Sequence, residues 1–313
     1  MIKMSHAAKS ALRQRPRRGS MSASPAGRAF TALNYAFFVL LGLTTMFPFL
    51  NLIAKSLSSE EAVVSGRVSL LPVDWQIGTY RYVMSQSLFL ASFQVSVFVT
   101  VAGTLLALFM TTLAAYPLSK PRLRGRKWFI LMYIFTMLFS GGLIPTYLLM
   151  QSLQLIDKLP VLFLPAMISV YNMLIIKNYF ESLPDSLEES AKLDGAGNLT
   201  ILWRITLPLS LPVLATIALF YAVAFWNDYF ASLIYINTPE NKPLQLYLKE
   251  LFVSSSDTFL QLGAQMNVDA AMNTSPQAIQ AASILLATLP ILLVYPFLQN
   301  YFVKGVLVGS VKE

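Results

Sequence analysis

"EESAKLDGAGNLTILWRITLP" runs from Glu188 to Pro208, and long apolar runs lie on both sides of it. From Glu181 to Arg204 the chain carries Glu181, Asp185, Glu188, Glu189 and Asp194 against only Lys192 and Arg204. Its local grammar is helical. Asp185 follows Pro184 as a candidate N-cap, and Glu188, three residues on, is placed to close a capping box. Leu187 and Ala191 share a face at i, i+4. Gly195 and Gly197 stop the helix, because glycine enters the left-handed region without strain. Asn198 is placed to cap a second helix running through Trp203, and Pro208 removes a backbone donor where that helix bends. The expected unit is a surface helix, a glycine elbow and a membrane span. Small residues at Ser190, Ala191 and Gly195 leave room for another protein's surface. On these grounds alone two readings stand: an ordinary interhelical loop, or a docking element.

The apolar flanks define the class. Hydrophobic residues make up 56% of the 313 and charged residues 12%, against about 25% charged in soluble domains. Lipid is the solvent this composition suits. A span needs about 20 apolar residues to cross the hydrocarbon, and six windows predict helices: about 29–53, 88–118, 128–150, 159–176, 205–227 and 279–303. Pro48, Pro145, Pro165, Pro212, Pro290 and Pro296 fall inside them, which neighbouring helices make tolerable. The domain reading is a basic tail over 1–28, a six-helix membrane domain over 29–303 with outer loops at about 54–87 and 237–278, and a tail over 304–313.

Charge sets the orientation, because inner loops carry the excess of Lys and Arg. With the N-terminus inside, 17 of the 23 Lys and Arg residues fall on the inner side, five of them between Lys120 and Lys127. Both termini are then cytoplasmic, and so is Glu181–Pro208. The first 28 residues hold seven bases and no acid. They read as an orienting tail against anionic lipid, with no nucleic-acid partner expected. The acidic 181–208 loop gains nothing from that lipid and is better explained by a protein partner.

Composition also excludes chemistry. There is no cysteine and the one histidine is His6, so thiolate metal sites and His-based catalytic arrangements are absent. No phosphate-binding G-x-x-x-x-G-K-[ST] loop occurs. The expectation is no catalytic residue, no metal site and no cofactor bound by this chain. A secondary transporter or channel would bury ionisable groups in its spans, whereas here only Asp228, at the end of the fifth, qualifies. Loss of uptake on adding a proton ionophore while ATP persists would favour that class. An intramembrane enzyme would be left with a Ser-Lys or paired-Asp design, and no span offers two acids.

"FWNDYF" at 225–230 is the other informative stretch. Aromatic faces, amides and carboxylates suit a sugar's C–H face and hydroxyls. Tyr221, Phe225, Trp226, Asn227, Asp228 and Tyr229 therefore form a candidate substrate path. The alternative is an interfacial aromatic belt, with Asp228 capping the span. "FSGGLIP" at 139–145 reads as a helix break in the third span.

The opening stretch resembles the EAA loop of binding-protein-dependent ATP-binding-cassette permeases. That pattern is Glu-Ala-Ala, three residues, Gly, nine residues, Ile, one residue, Leu-Pro. Glu189, Ser190, Ala191, Gly195, Ile205, Leu207 and Pro208 fall at its spacing, with Ser190 replacing the first Ala. "AAYPLSKPRLRGRKW", "GLIPTYLLMQSLQLIDKLP", "WNDYFASL" and "QNYFVKGVLVGSVKE" are similar to the carbohydrate, maltose-type members. The resemblance implies an all-α, six-span type I importer subunit in a bacterial cell membrane. It implies as partners a second homologous permease, two ATP-binding-cassette subunits that hold ATP and Mg, and an extracytoplasmic sugar-binding protein. It places ATPase coupling on Glu188, Glu189, Ser190, Ala191, Asp194, Gly195, Ile205, Leu207 and Pro208. It further implies that the outer loop at 237–278 meets the binding protein and that the C-terminal tail approaches the ATPases. A solvated loop and a frayed terminus remain the alternatives for those two segments.

Overall fold

The computed structural model describes residues 25–253 and 275–310, and all regular structure among them is helical. The basic tail up to residue 24 and the centre of the second outer loop lie outside the described residues.

Of the six spans expected, three are single helices and three are bent pairs. Pro25–Ser56, Ser87–Ser119 and the last helix from Pro276 are long and apolar enough to cross a membrane unbroken. The third span is Arg126–Leu138 plus Leu143–Ser152, turned by 108°. The fourth is Leu159–Ala166 plus Val170–Glu181, turned by 51°, and the fifth is Asn198–Leu209 plus Leu211–Asn227, turned by 83°. The proline pattern explains the difference from six continuous helices. Pro145, Pro165 and Pro212 sit near the starts of segments rather than inside them, where a missing N–H costs nothing. Pro48, Pro290 and Pro296 lie within intact helices. In the third span Gly142, at φ +88, supplies the turn that the "FSGGLIP" break requires.

The structure divides into two units, the first ending at Leu52. That unit contains most of the first span, which carries no charged residue between Arg28 and Lys55. Its threonine hydroxyls bond within the helix: Thr44 and Thr45 donate to the carbonyls of Leu40 and Leu41, as suits a helix in hydrocarbon.

The second unit is built around the packing of the second span against the fourth and fifth. Val99, Ala107, Ala115, Met173, Ile176, Ile217 and Phe225 form the buried core. Gly103 lies so close to the fifth span that an added Cβ would stand 3.0 Å from the Phe225 ring and from Phe163 Cβ. One polar knot crosses this core. Tyr221 Oη shares a 2.6 Å hydrogen bond with Thr111 Oγ1 and accepts the Ser169 N–H at 2.9 Å.

A second cluster joins the segments read as outer loops to the spans. Val83, Phe89, Trp226, Leu244, Leu248 and Ile279 pack together. Leu244–Val253 is a helix, and the N–H of Leu244 donates to Ser96 Oγ at 2.7 Å. Burial, with Tyr82 nearby, pushes the Tyr247 phenol up to about 12. The segment after the first span is also ordered: Ser59 caps the short helix Glu60–Val64, and Ser58 Oγ accepts the Val73 N–H. At the far terminus the last helix continues to Ser310, so most of the expected tail extends it.

Asp157 is the clasp between the turn after the third span and the start of the second outer loop. It sits at φ +61, and its carboxylate accepts the N–H groups of Asn237 and Thr238, both at 2.9 Å, and the Thr238 hydroxyl at 2.5 Å. The Thr238 hydroxyl, followed by the two amides, holds the Asp157 carboxyl below the usual aspartate range. A depressed carboxylate stabilises the folded state above its unfolded pKa, and that contribution fades as pH falls through the folded value. Hydrogen exchange at the amides of Asn237 and Thr238 is therefore expected to rise severalfold in Asp157→Ala, because both lose a charge-assisted acceptor. The wild-type protein should approach the variant only below the ordinary aspartate range. Equal protection in both proteins at neutral pH would remove the clasp.

Candidate functional site

The chain offers two sites at opposite ends of the fifth span. The first is the elbow. Its helix is Asp185–Leu193, and Pro184 occupies the cap position without any side-chain bond. The expected capping box does not form, because the Glu188 carboxylate is drawn elsewhere. It pairs with Lys120, with Arg122 at 2.6 Å and with Lys192 at 2.6 Å, and its side chain is only 13% exposed. Glu181 is engaged in the same way by Arg126 and by Lys177 at 2.8 Å. Arg126 in turn donates its Nε–H to the Leu118 carbonyl at 2.7 Å. The basic loop after the second span thus braces the elbow from below. Sequence reading counted these cations toward orientation only. The signal that could have exposed their second role was the acid pair at 181 and 188, facing an otherwise basic side.

Gly195 behaves as expected and Asn198 does not. At φ +82, Gly195 closes a Schellman turn: its N–H donates to the Lys192 carbonyl at 3.0 Å, and the Ala196 N–H to the Ala191 carbonyl at 2.9 Å. Gly197, at φ −74, is ordinary extended backbone and itself takes the cap position, so Asn198 is the first residue of the following helix. The Asn198 side-chain oxygen accepts instead from Arg122 Nη2 at 2.8 Å. The bend that Pro208 was expected to make falls two residues later, at Ser210, after a π-helical turn over Leu202–Thr206.

What the elbow shows outward matters as much as its bracing. Ala191 is the one buried residue of its helix. Glu189, Ser190, Asp194 and Gly195 are exposed, and Glu189 has no ion pair among the described residues. Leu193 is 91% exposed and Leu199 68%. Ile205, Leu207 and Pro208 lie in the segment that returns toward the span. A free carboxylate beside exposed leucines on a braced helix is a surface made to be covered.

The second site is a cavity of about 620 Å³ at the other end of the fifth span. Ser140, Gly142 and Thr146 line it from the break in the third span, and Phe225, Asn227 and Asp228 from the fifth. Among the described residues its lining includes one acid and no cation. Asp228 Oδ1 accepts the N–H groups of Phe230 at 3.1 Å and Ala231 at 3.3 Å, so Asp228 opens the next short helix while facing the cavity. Asn227 donates to the Val223 carbonyl at 2.9 Å. The other candidate path residues point elsewhere. Tyr221 belongs to the core knot. Trp226 is buried edge-on to Phe93 at 6.2 Å, and its Nε1–H has no partner among the described residues. Tyr229 lies under Lys249 Nζ at 4.3 Å. No cluster of metal-ligating side chains occurs among the described residues.

Comparison with known proteins identifies the family. Residues 19–308 match the family described as the binding-protein-dependent transport system inner membrane component. Protein LplC of Bacillus subtilis is 46% identical over 94% of this chain and 98% of its own length. The polygalacturonan/rhamnogalacturonan transport system permease protein YtcP of the same organism is 44% identical over 91% and 99%. A chain in the crystal structure of a bacterial ABC transporter that imports the acidic polysaccharide alginate superposes with a TM-score of 0.83. It is 36% identical and covers 89% of this chain and 98% of that one.

Proposed function

Because the chain belongs to the family of binding-protein-dependent transport system inner membrane components, and so is a membrane permease subunit of an ATP-binding-cassette importer, we propose that its elbow is the seat of a separate ATPase and that its cargo is an oligosaccharide. The observation that carries the first part is the division of labour between adjacent acids. Glu188 is tied to the chain's own cations, while Glu189 stands exposed beside Gly195 and Leu193. Glu189, Ser190, Ala191, Asp194 and Gly195 meet the ATPase, and Glu188, Ile205, Leu207 and Pro208 connect that contact to the fifth span. The assembly has a second permease, two ATPases that bind ATP and Mg, and a sugar-binding protein outside. Both termini of this chain are cytoplasmic. A photocrosslinker at position 189 or 195 should capture a cassette ATPase in intact cells, and the absence of any such adduct would end this reading.

The cargo part rests on the cavity and on the relatives' polygalacturonan, rhamnogalacturonan and alginate. Hydroxyls, an amide and a carboxylate suit sugar hydroxyls. A uronate's carboxylate would find no cation in this lining, so an acidic cargo must place its charge against the second permease. Asp228→Asn keeps an acceptor for the Phe230 and Ala231 amides but loses the charge. It should raise the transport KM about tenfold, the scale of one charge-assisted hydrogen bond, whereas Trp226→Phe should leave KM unchanged. The opposite ranking would move the path to the buried face of the span.

A further inference from the structure

Beneath the elbow lies a second cavity, of about 490 Å³, between the end of the second span and the start of the fifth. Leu199 and Leu202 form part of its apolar wall, Lys120, Arg122 and Arg124 are its cationic lining, and no acid lines it among the described residues. Glu188, reaching in from the elbow, pairs with Lys120 and Arg122. Arg124 is exposed and has no ion pair among the described residues. Tyr116, 6% exposed, also lines the cavity. Its phenol oxygen is buried with no hydrogen-bond partner among the described residues, and Lys120 Nζ stands 4.9 Å from its ring centroid.

We infer that this cavity is a binding site for an anionic phospholipid. The inference rests on the reading of the elbow as cytoplasmic. On that reading the cavity opens where two spans leave the bilayer, at headgroup depth. A hole with greasy walls, a cationic lining and a buried unpartnered hydroxyl matches an amphiphile with a phosphate head. A soluble phosphate has no use for the leucines, and a zwitterionic lipid cancels its own charge there. The inner leaflet is the local source of anionic amphiphiles, and basic pockets on that side recruit them. Lipid bound here would touch the same loop that braces Glu188, so its occupancy reaches the coupling helix through Lys120 and Arg122.

The test uses the full chain in mixed phosphatidylglycerol and phosphatidylcholine, with lipid retention read by native mass spectrometry. Arg124→Gln removes the unpaired cation without touching Glu188. Its apparent affinity for phosphatidylglycerol should fall about fivefold, the scale of one basic residue at a membrane surface. Lys127→Gln removes a cation of the same loop that is not in the cavity lining, and should leave retention unchanged. Equal losses in both variants would mean diffuse attraction and overturn the site. Competition by free glycerol phosphate at matched concentration would make it a soluble-phosphate site. Displacement of the lipid on adding the ATPase would make it a protein contact. Because retention is read on the isolated chain, it is independent of ATPase capture at position 189 or 195. Retention with failed capture would sink the coupling proposal alone.

Discussion

Glu189→Lys is expected to cut substrate-stimulated ATP hydrolysis and transport at least tenfold while the protein stays in the membrane at normal abundance. Glu189 is exposed on a helix whose neighbouring acid, Glu188, is already neutralised. Reversing its charge costs the fold little, because it leaves no buried partner behind. The loss falls on the interface, where truncating one member of a charge pair costs about 2–5 kcal/mol. Gly195→Pro should act as strongly by another route. Proline fixes φ near −65°, and Gly195 sits at +82°, so the turn after the helix cannot close. Both variants are measured in reconstituted assemblies, with ATP hydrolysis and uptake followed together. Normal coupled hydrolysis in both would dissociate the elbow from the motor.

The neighbouring position should fail for a different reason. Glu188→Lys would place a fourth cation among Lys120, Arg122 and Lys192. Removing one partner of a mostly buried ion pair costs on the order of 3 kcal/mol, and reversal adds repulsion. The elbow should then come away from its bracing loop. Because the chain has no native cysteine, Ala191→Cys, at the buried position of the helix, supplies a single reporter. Its labelling rate should rise about tenfold or more in the Glu188→Lys background, the scale of a destabilisation of one to two kcal/mol in local opening. Adding Arg122→Glu should recover part of the protection. In the Glu189→Lys background the reporter should stay at its wild-type rate. If the two lysine variants labelled alike, the acids would not have separate roles.

How far these features were legible depended on their range. Six apolar windows predicted the spans, because hydropathy over about 20 residues is a local property. Gly195 was legible for the same reason, since a left-handed turn is chosen by one residue. The capping box at Asp185 and Glu188 was not fulfilled. A local bond lost to cations some 68 positions away, and no window of sequence displays that competition. The bends were half visible. Gly142 and Pro145 marked the third span's break, but the fifth span turns at Ser210, ahead of Pro212, and not at Pro208. In the candidate path, periodicity could not tell which face of the fifth span meets a cavity, so Trp226 and Tyr221 were grouped with Phe225 and Asp228. Packing separates them: Trp226 goes to the outer cluster and Tyr221 to the core knot with Thr111.

The π turn at Leu202–Thr206 has a consequence for angular phase. A helical residue advances the side-chain direction by about 100°, and a π turn accommodates one residue more than the α spiral would hold. Leu207 and everything after it are therefore clocked differently, relative to the elbow, from what a straight count along the chain gives. The single inserted step works like the index mark on a camshaft. It fixes which way the far end of the rod faces relative to the elbow.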